Sequence, residues 1–223
     1  MRIMVIRETA MRRIFLCFFT AFCCFVGFSP HLSEPARGAD EAFPELGLRV
    51  LMPEGWVKVT PDPVLRDVTD GVIPGLKLRL IAALVIPNER EPIPELPEYA
   101  VDLWEVVETE SVRLEQAMAC FKELQSKLTE RPGNGIAVEQ PFARDLGSFK
   151  VAVLRVHYFD RQQYRGSMEY LALAEQKRVN NKVVSVEPVS AIISVYHDTS
   201  QEKNTERLSE LLLRIRPMPA AAD

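Results

Sequence analysis

The stretch FKVAVLRVHYFDRQQYRGSMEYLALA, Phe149 to Ala174, decides the fold. Val151, Val153, Arg155 and His157 alternate with Ala152, Leu154, Val156 and Tyr158, so successive side chains point to opposite faces of a strand. Both sets are largely apolar, and a strand of that kind belongs in the middle of a covered sheet. Asp160 to Gly166 supplies polar turn material with a glycine. Met168, Tyr170 and Leu171 to Ala174 then form a second apolar run, so the whole reads as a long β-hairpin.

Upstream, LGLRVLMPEGWVKV (Leu46 to Val59) reads as strand, tight turn, strand, with Pro53-Glu54-Gly55 at the turn and Trp56 as a core anchor. KLRLIAALVI (Lys77 to Ile86) is a further strand apolar on both faces. Four prolines, at 87, 92, 94 and 97, forbid a regular element before Tyr99. Leu114, Ala117, Met118, Phe121, Leu124 and Leu128 repeat at three and four and predict a helix, with Glu123 and Lys127 as an i,i+4 pair and Ser111 as its cap. The segment Tyr99 to Glu108 suits either helix or strand.

Downstream, Leu146-Gly147-Ser148 is a turn, Asn180-Asn181 closes a polar excursion after Ala174, and VSAIISVYHD ends a last strong strand near His197. Thr199 and Glu202 fit a capping box, Leu208, Leu211, Leu212 and Ile215 form one apolar helical face, and Pro217 stops it.

The N-terminus reads as an address. Arg12 and Arg13 precede an apolar run from Ile14 to Phe28, and small residues follow near Ala36, Gly38 and Ala39, the pattern of a secretory signal. Fifteen residues fall short of the roughly 20 that a spanning helix needs. Residues 1–39 are therefore expected to be a removed signal, with 1–10 an upstream start, 40–217 a single α+β domain and 218–223 a disordered tail. No stable membrane span is expected after removal, and an exported, periplasmic or extracellular location follows.

Without residues 1–39, which hold five arginines and two glutamates, 22 basic residues face 29 acidic ones, net −7. That balance argues against a nucleic-acid partner. Three of the four cysteines, Cys17, Cys23 and Cys24, lie in the apolar run, so Cys120 alone follows it and no internal disulfide framework can form.

Chemistry-bearing patterns are absent. There is no G-x-S-x-G, no H-E-x-x-H and no glycine-rich phosphate loop. His157 and His197 make no chelating spacing, although they would be neighbours if their strands paired. Ser167 and Cys120 are the only weak nucleophile candidates, and Glu105, Glu108 and Glu110 read as a solvated face. No catalytic residue, metal or cofactor is assigned. The hairpin turn is different: Phe159, Arg161, Tyr164 and Arg165 combine the aromatic and arginine chemistry favoured at protein interfaces, which makes it the candidate contact with a protein partner.

The order of these elements, with L-M-P-E-G-W at Leu51 to Trp56, the helix at Leu114 to Leu128, the turn at Gly147, the long hairpin, a strand ending at Tyr196 and a capped C-terminal helix, resembles the PsbP-like family. That group includes the photosystem II extrinsic protein, a Ran-binding nuclear import factor and many bacterial exported proteins. The resemblance spans Leu46 to Ile215 and implies an antiparallel β-sheet sandwiched between helices, an α/β/α arrangement of the α+β class. It also implies a binding or assembly role rather than catalysis. The stretch Glu175 to Pro188 departs from the pattern as an insertion. The expected function is an exported non-catalytic binding or assembly-support module of the cell envelope; the alternative is a hydrolase or other enzyme with a site between sheet and helix.

Overall fold

The computed structural model describes residues 40–61, 69–70, 72–86, 99–108, 110–130, 135–160, 163–180, 182–198 and 209–218. The strands are β1 (Asp40–Phe43), β2 (Leu48–Leu51), β3 (Val57–Val59), β4 (Thr69–Asp70), β5 (Lys77–Ile86), β6 (Tyr99–Val106), β7 (Ile136–Val138), β8 (Phe142–Leu146), β9 (Phe149–Asp160), β10 (Gln163–Val179), β11 (Lys182–Asp198) and β12 (Ile215–Pro217). Helix α1 spans Leu114–Thr129. Nine strands form one sheet in the order β3-β5-β6-β11-β10-β9-β7, with β4 beside β5 and β8 beside β9; β1, β2 and β12 form a second, three-stranded sheet. Every pairing is antiparallel.

Strand alternation gives the large sheet two buried faces. Val151, Val153, Leu171, Leu173, Ile193 and Leu103 pack in one cluster, and Ala152, Leu154, Ala172 and Ile192 in another. The second cluster is closed by Leu114, Ala117, Phe121 and Leu124 of α1. Burying such side chains contributes about 1.5–3 kcal/mol each for the large ones. The first cluster is closed by Phe43, Leu46, Leu48 and Val50 of the small sheet and its flank, together with Leu211, Leu212 and Ile215.

The expected layer of helix on both sides holds on the α1 side only. On the other face the described cover is the small sheet and a helical segment at 209–213. Leu211, Leu212 and Ile215 of the predicted C-terminal helix are buried as expected and Leu208 lies outside the described residues, but Ile215 reaches the core from β12, where it pairs with Val50. Pro217 sits in that strand and does not end a helix. The proposed cap at Thr199 lies outside the described residues.

Three further expectations change. β2 and β3 do not pair with each other; Trp56 is buried between them as read, and β3 joins β5 in the large sheet. Tyr99–Val106 is a strand, since it fills the slot between β5 and β11. Helix α1 starts after Arg113, whose backbone N–H donates to Gln116 Oε1 at 2.7 Å, so Gln116 and not Ser111 satisfies the first turn.

Candidate functional site

β10 and β11 are each 17 residues long, whereas β9 has 12 and β6 has eight. The last β9 partner of β10 is Phe149, opposite Glu175, and the β6 partners of β11 begin with Glu105, opposite Ala191. Past those points the hairpin runs on as a two-stranded ribbon to the Asn180 turn, where Asn180 has φ 50°. Residues 176–186 of this arm hold Lys177, Arg178 and Lys182 and no acidic residue. They also hold Val179, Val183, Val184 and Val186, four of the seven exposed large apolar side chains among the described residues. Val184 is 60% exposed and Val179 57%.

The base of the arm is fastened. Asp145 on β8 accepts from Gln176 Nε2 at 3.1 Å and from Arg178 at 3.2 Å, and pairs with Lys150 at 3.1 Å. Hydrogen bonding to Lys150 leads the effects that hold the Asp145 carboxyl below its ordinary range. Lys177 pairs with Glu187 at 3.0 Å, which Ser185 also contacts at 3.2 Å. These contacts put Lys177, Ser185 and Glu187 on one face of the ribbon. Val186, opposite Gln176, takes the other, and Val184 is the extra residue of a bulge between the Ser185 and Val183 pairings. Val186 and Pro188 continue into an open groove of about 440 Å3 lined by Arg113, Leu114, Glu115 and Glu187. Beside it, Val189 N–H donates to Val112 O at 2.8 Å and ends the free edge of β11.

Under α1 lies a buried polar chain. Trp104 Nε1 donates to Ser194 Oγ at 2.9 Å, and the Ser194 hydroxyl donates to Asp102 Oδ2 at 3.3 Å. Asp102 and Ser194 are cross-strand partners, and Tyr170 is the next residue across on β10. Asp102 Oδ1 is buried without a hydrogen-bond partner. Desolvation, partly offset by the Ser194 bond, pushes the Asp102 carboxyl up to about 7. Burial and the nearby Asp102 push the Tyr170 phenol up to about 12, and burial followed by Tyr170 and Tyr196 raises Tyr158 further. No motif marks this group; its signal is Asp102 between the apolar Val101 and Leu103.

On the opposite face, toward the β9–β10 turn, Arg155 contacts Glu169 and stacks over the Phe142 ring at 5.3 Å. Glu139 takes His157 Nε2 at 2.8 Å and Arg155 at 3.7 Å. His157 and His197 are not strand neighbours: β10 lies between them, with Ser167 in register with both. Cys120 is half-buried, with Gly75 against its sulfur, and burial raises its thiol.

Of the residues read as a partner contact, Phe159 is 37% exposed at the end of β9. Its N–H donates to Gly135 O at 2.7 Å, and Gly135, at φ +68°, approaches so closely that a Cβ would collide with the Phe159 carbonyl oxygen. Tyr164 and Arg165 lie within β10, Tyr164 opposite Phe159. Arg161 lies outside the described residues. Among those residues no group of three or more His, Cys, Asp or Glu side chains is placed to hold a metal ion, and no helix is long and apolar enough to cross a membrane.

No protein-family model matches the chain, and no curated protein does. Among solved structures, it is similar to the solution structure of cyanobacterial PsbP (CyanoP) from Synechocystis sp. PCC 6803. The identity is 12%, over 80% of this chain and 91% of that one, with a TM-score of 0.44. This is the family that the residue pattern resembles; at that identity no residue role passes between the chains.

Proposed function

We propose that this protein is an exported, non-catalytic binding or assembly-support module of the cell envelope, and that the β10–β11 arm is its contact element. The observation that carries this reading is the arm itself, a ribbon with four exposed valines beyond the reach of its neighbour strands. Isolated two-stranded ribbons are marginal in water, so apolar side chains placed there gain most by being covered by a partner. Export is supported by the basic, apolar and small-residue segments of residues 12–39.

A photo-crosslinking residue at Val184 should capture protein in the native envelope fraction, while the same probe at exposed Glu45 should not. Equal capture at both positions would reject the arm as the contact. The β9–β10 turn is the competing surface, and replacing Tyr164 and Arg165 together by alanine should leave capture at position 184 intact. Retained Met1 or Met11 on the protein recovered from cells would refute export.

A second reading rests on Asp102. Its unpartnered Oδ1 under α1 fits an enzyme or ligand site between sheet and helix, taking a small molecule that donates a hydrogen bond. A simple amine such as benzylamine should then raise the melting midpoint above pH 7 in the natural chain and not in Asp102→Asn. No shift in either chain would dismiss this reading.

A further inference from the structure

Beyond the arm, we infer that the outer face of the small sheet docks on the phosphate headgroups of an anionic lipid bilayer. Strand parity defines that face. Leu48, Val50 and Ile215 point into the core with 1% exposure or less, so Arg49, Leu51 and Arg216 point outward. Arg216 stands directly opposite Arg49. Leu51 N–H donates to Arg214 O at 3.3 Å, which brings exposed Leu51 to the corner where exposed Leu213 ends the helical segment.

The charges on this face do not balance. Two guanidiniums directly opposite each other in an antiparallel pair repel. Asp40 answers one of them, pairing with Arg49 at 2.7 Å, and Glu210 is taken by Arg214. Among the described residues Arg216 meets no carboxylate; its Nη1 donates to the carbonyl oxygens of Leu213 and Ile215. Arg49 Nε has no hydrogen-bond acceptor. One positive charge is left over, with guanidinium donors to spare, and the oxygens of a phosphate are the acceptors that match them. The chain as a whole is net −4, so a negative surface attracts this face and repels the remainder, which orients the molecule.

The leucines choose between sources of phosphate. A free phosphate would engage the guanidiniums and leave Leu51 and Leu213 in water. A bilayer covers both groups, with lipid phosphates on Arg49 and Arg216 and the leucines at the boundary of headgroup and acyl chain. So few groups make a reversible contact that salt weakens.

Co-sedimentation with vesicles, using the chain recovered from cells, tests this. Vesicles of phosphatidylglycerol and phosphatidylcholine in equal parts should carry the chain down, and phosphatidylcholine alone should not. Arg49→Gln and Arg216→Gln should each lower binding about fivefold, and together bring it to the phosphatidylcholine level. Leu51→Ser with Leu213→Ser should lower it as well, while Lys182→Gln, which removes a charge from the arm, should leave it unchanged. Binding indifferent to phosphatidylglycerol, or lowered equally by Lys182→Gln, would overturn the inference. So would inorganic phosphate raising the melting midpoint of the natural chain while vesicles carry none of it down, since the arginines would then hold a free anion. Capture through Val184 is read separately, so failure here leaves the arm reading as it stands.

Discussion

From Met168 to Leu173, β10 lies between β9 and β11 with α1 over one face and the small sheet over the other, and Leu171, Ala172 and Leu173 have no exposed surface. From Lys177 to Val179 the same strand pairs with β11 alone, and Val179 is more than half exposed. The body half is hydrogen-bonded along both edges and the arm along one. Burial separates them, so the body of the hairpin carries stability, while the arm contributes little to folding and is available for contact. Such a difference is expected to appear in local opening as well as in mutational cost.

The largest effect should come from breaking the body half. Leu171→Ala removes a fully buried side chain that packs with Val153, Ile193 and Leu103, and should cost about 2–5 kcal/mol in denaturant unfolding. A cost below 1 kcal/mol would show that the two halves are energetically alike.

Asp102 sharpens the comparison by pH. Its folded carboxyl sits near 7 against an ordinary 3.8, so the folded state holds a proton that the unfolded chain releases. The associated stability is fully present below about pH 3.8, falls as pH rises, and is lost once pH exceeds about 7, by on the order of 2–4 kcal/mol. Asp102→Asn cannot ionise and should flatten that slope between pH 4 and 7. A natural chain whose stability rose through this window by the same amount as the variant would refute the buried, desolvated carboxyl. Burial raises the Tyr170 and Tyr158 phenols beside it, so both titrate above this window.

The fastening of the arm should register more weakly. Asp145→Ala releases Gln176 and Arg178, and because the carboxylate is exposed and screened the loss of stability should be small. Amide exchange at 177–179 should quicken by a few-fold with the midpoint nearly unchanged. Smallest of all, Val184→Ser should move stability by less than about 0.5 kcal/mol, because the side chain touches solvent on most of its surface.

The body half was legible in the sequence for a physical reason: Phe149 to Ala174 is apolar at both parities, and only a strand covered on both sides uses such a pattern. The same logic placed β5 at Lys77–Ile86 and α1 at Leu114–Thr129, with the Glu123–Lys127 pair at 2.7 Å. Tyr99–Val106 stayed ambiguous because Val101, Leu103 and Trp104 suit a strand as well as a helix, and the partner that decides it, Ser194 bonded to Trp104, is 90 residues away. The arm was read as a polar excursion because Lys, Arg and Asn dominate residues 177–182, yet Val183, Val184 and Val186 already carried the strand period. Three register shifts in the β10–β11 pairing hide that continuity from a simple alternation count. The turn residues Phe159, Arg161, Tyr164 and Arg165 were chosen by side-chain type alone, which cannot tell that turn from the arm at the far end of β10, where four of the seven exposed large apolar side chains among the described residues lie.

Hydrogen exchange along β10 and β11, read residue by residue at low protein concentration, tests the division of this hairpin most directly. At low concentration, amides from Met168 to Leu173 and from Ala191 to Val195 should exchange only with global unfolding, while those from Lys177 to Val186 exchange orders of magnitude faster. Arm amides as protected as the body at low concentration would contradict the account, because the arm would then be part of the folded core.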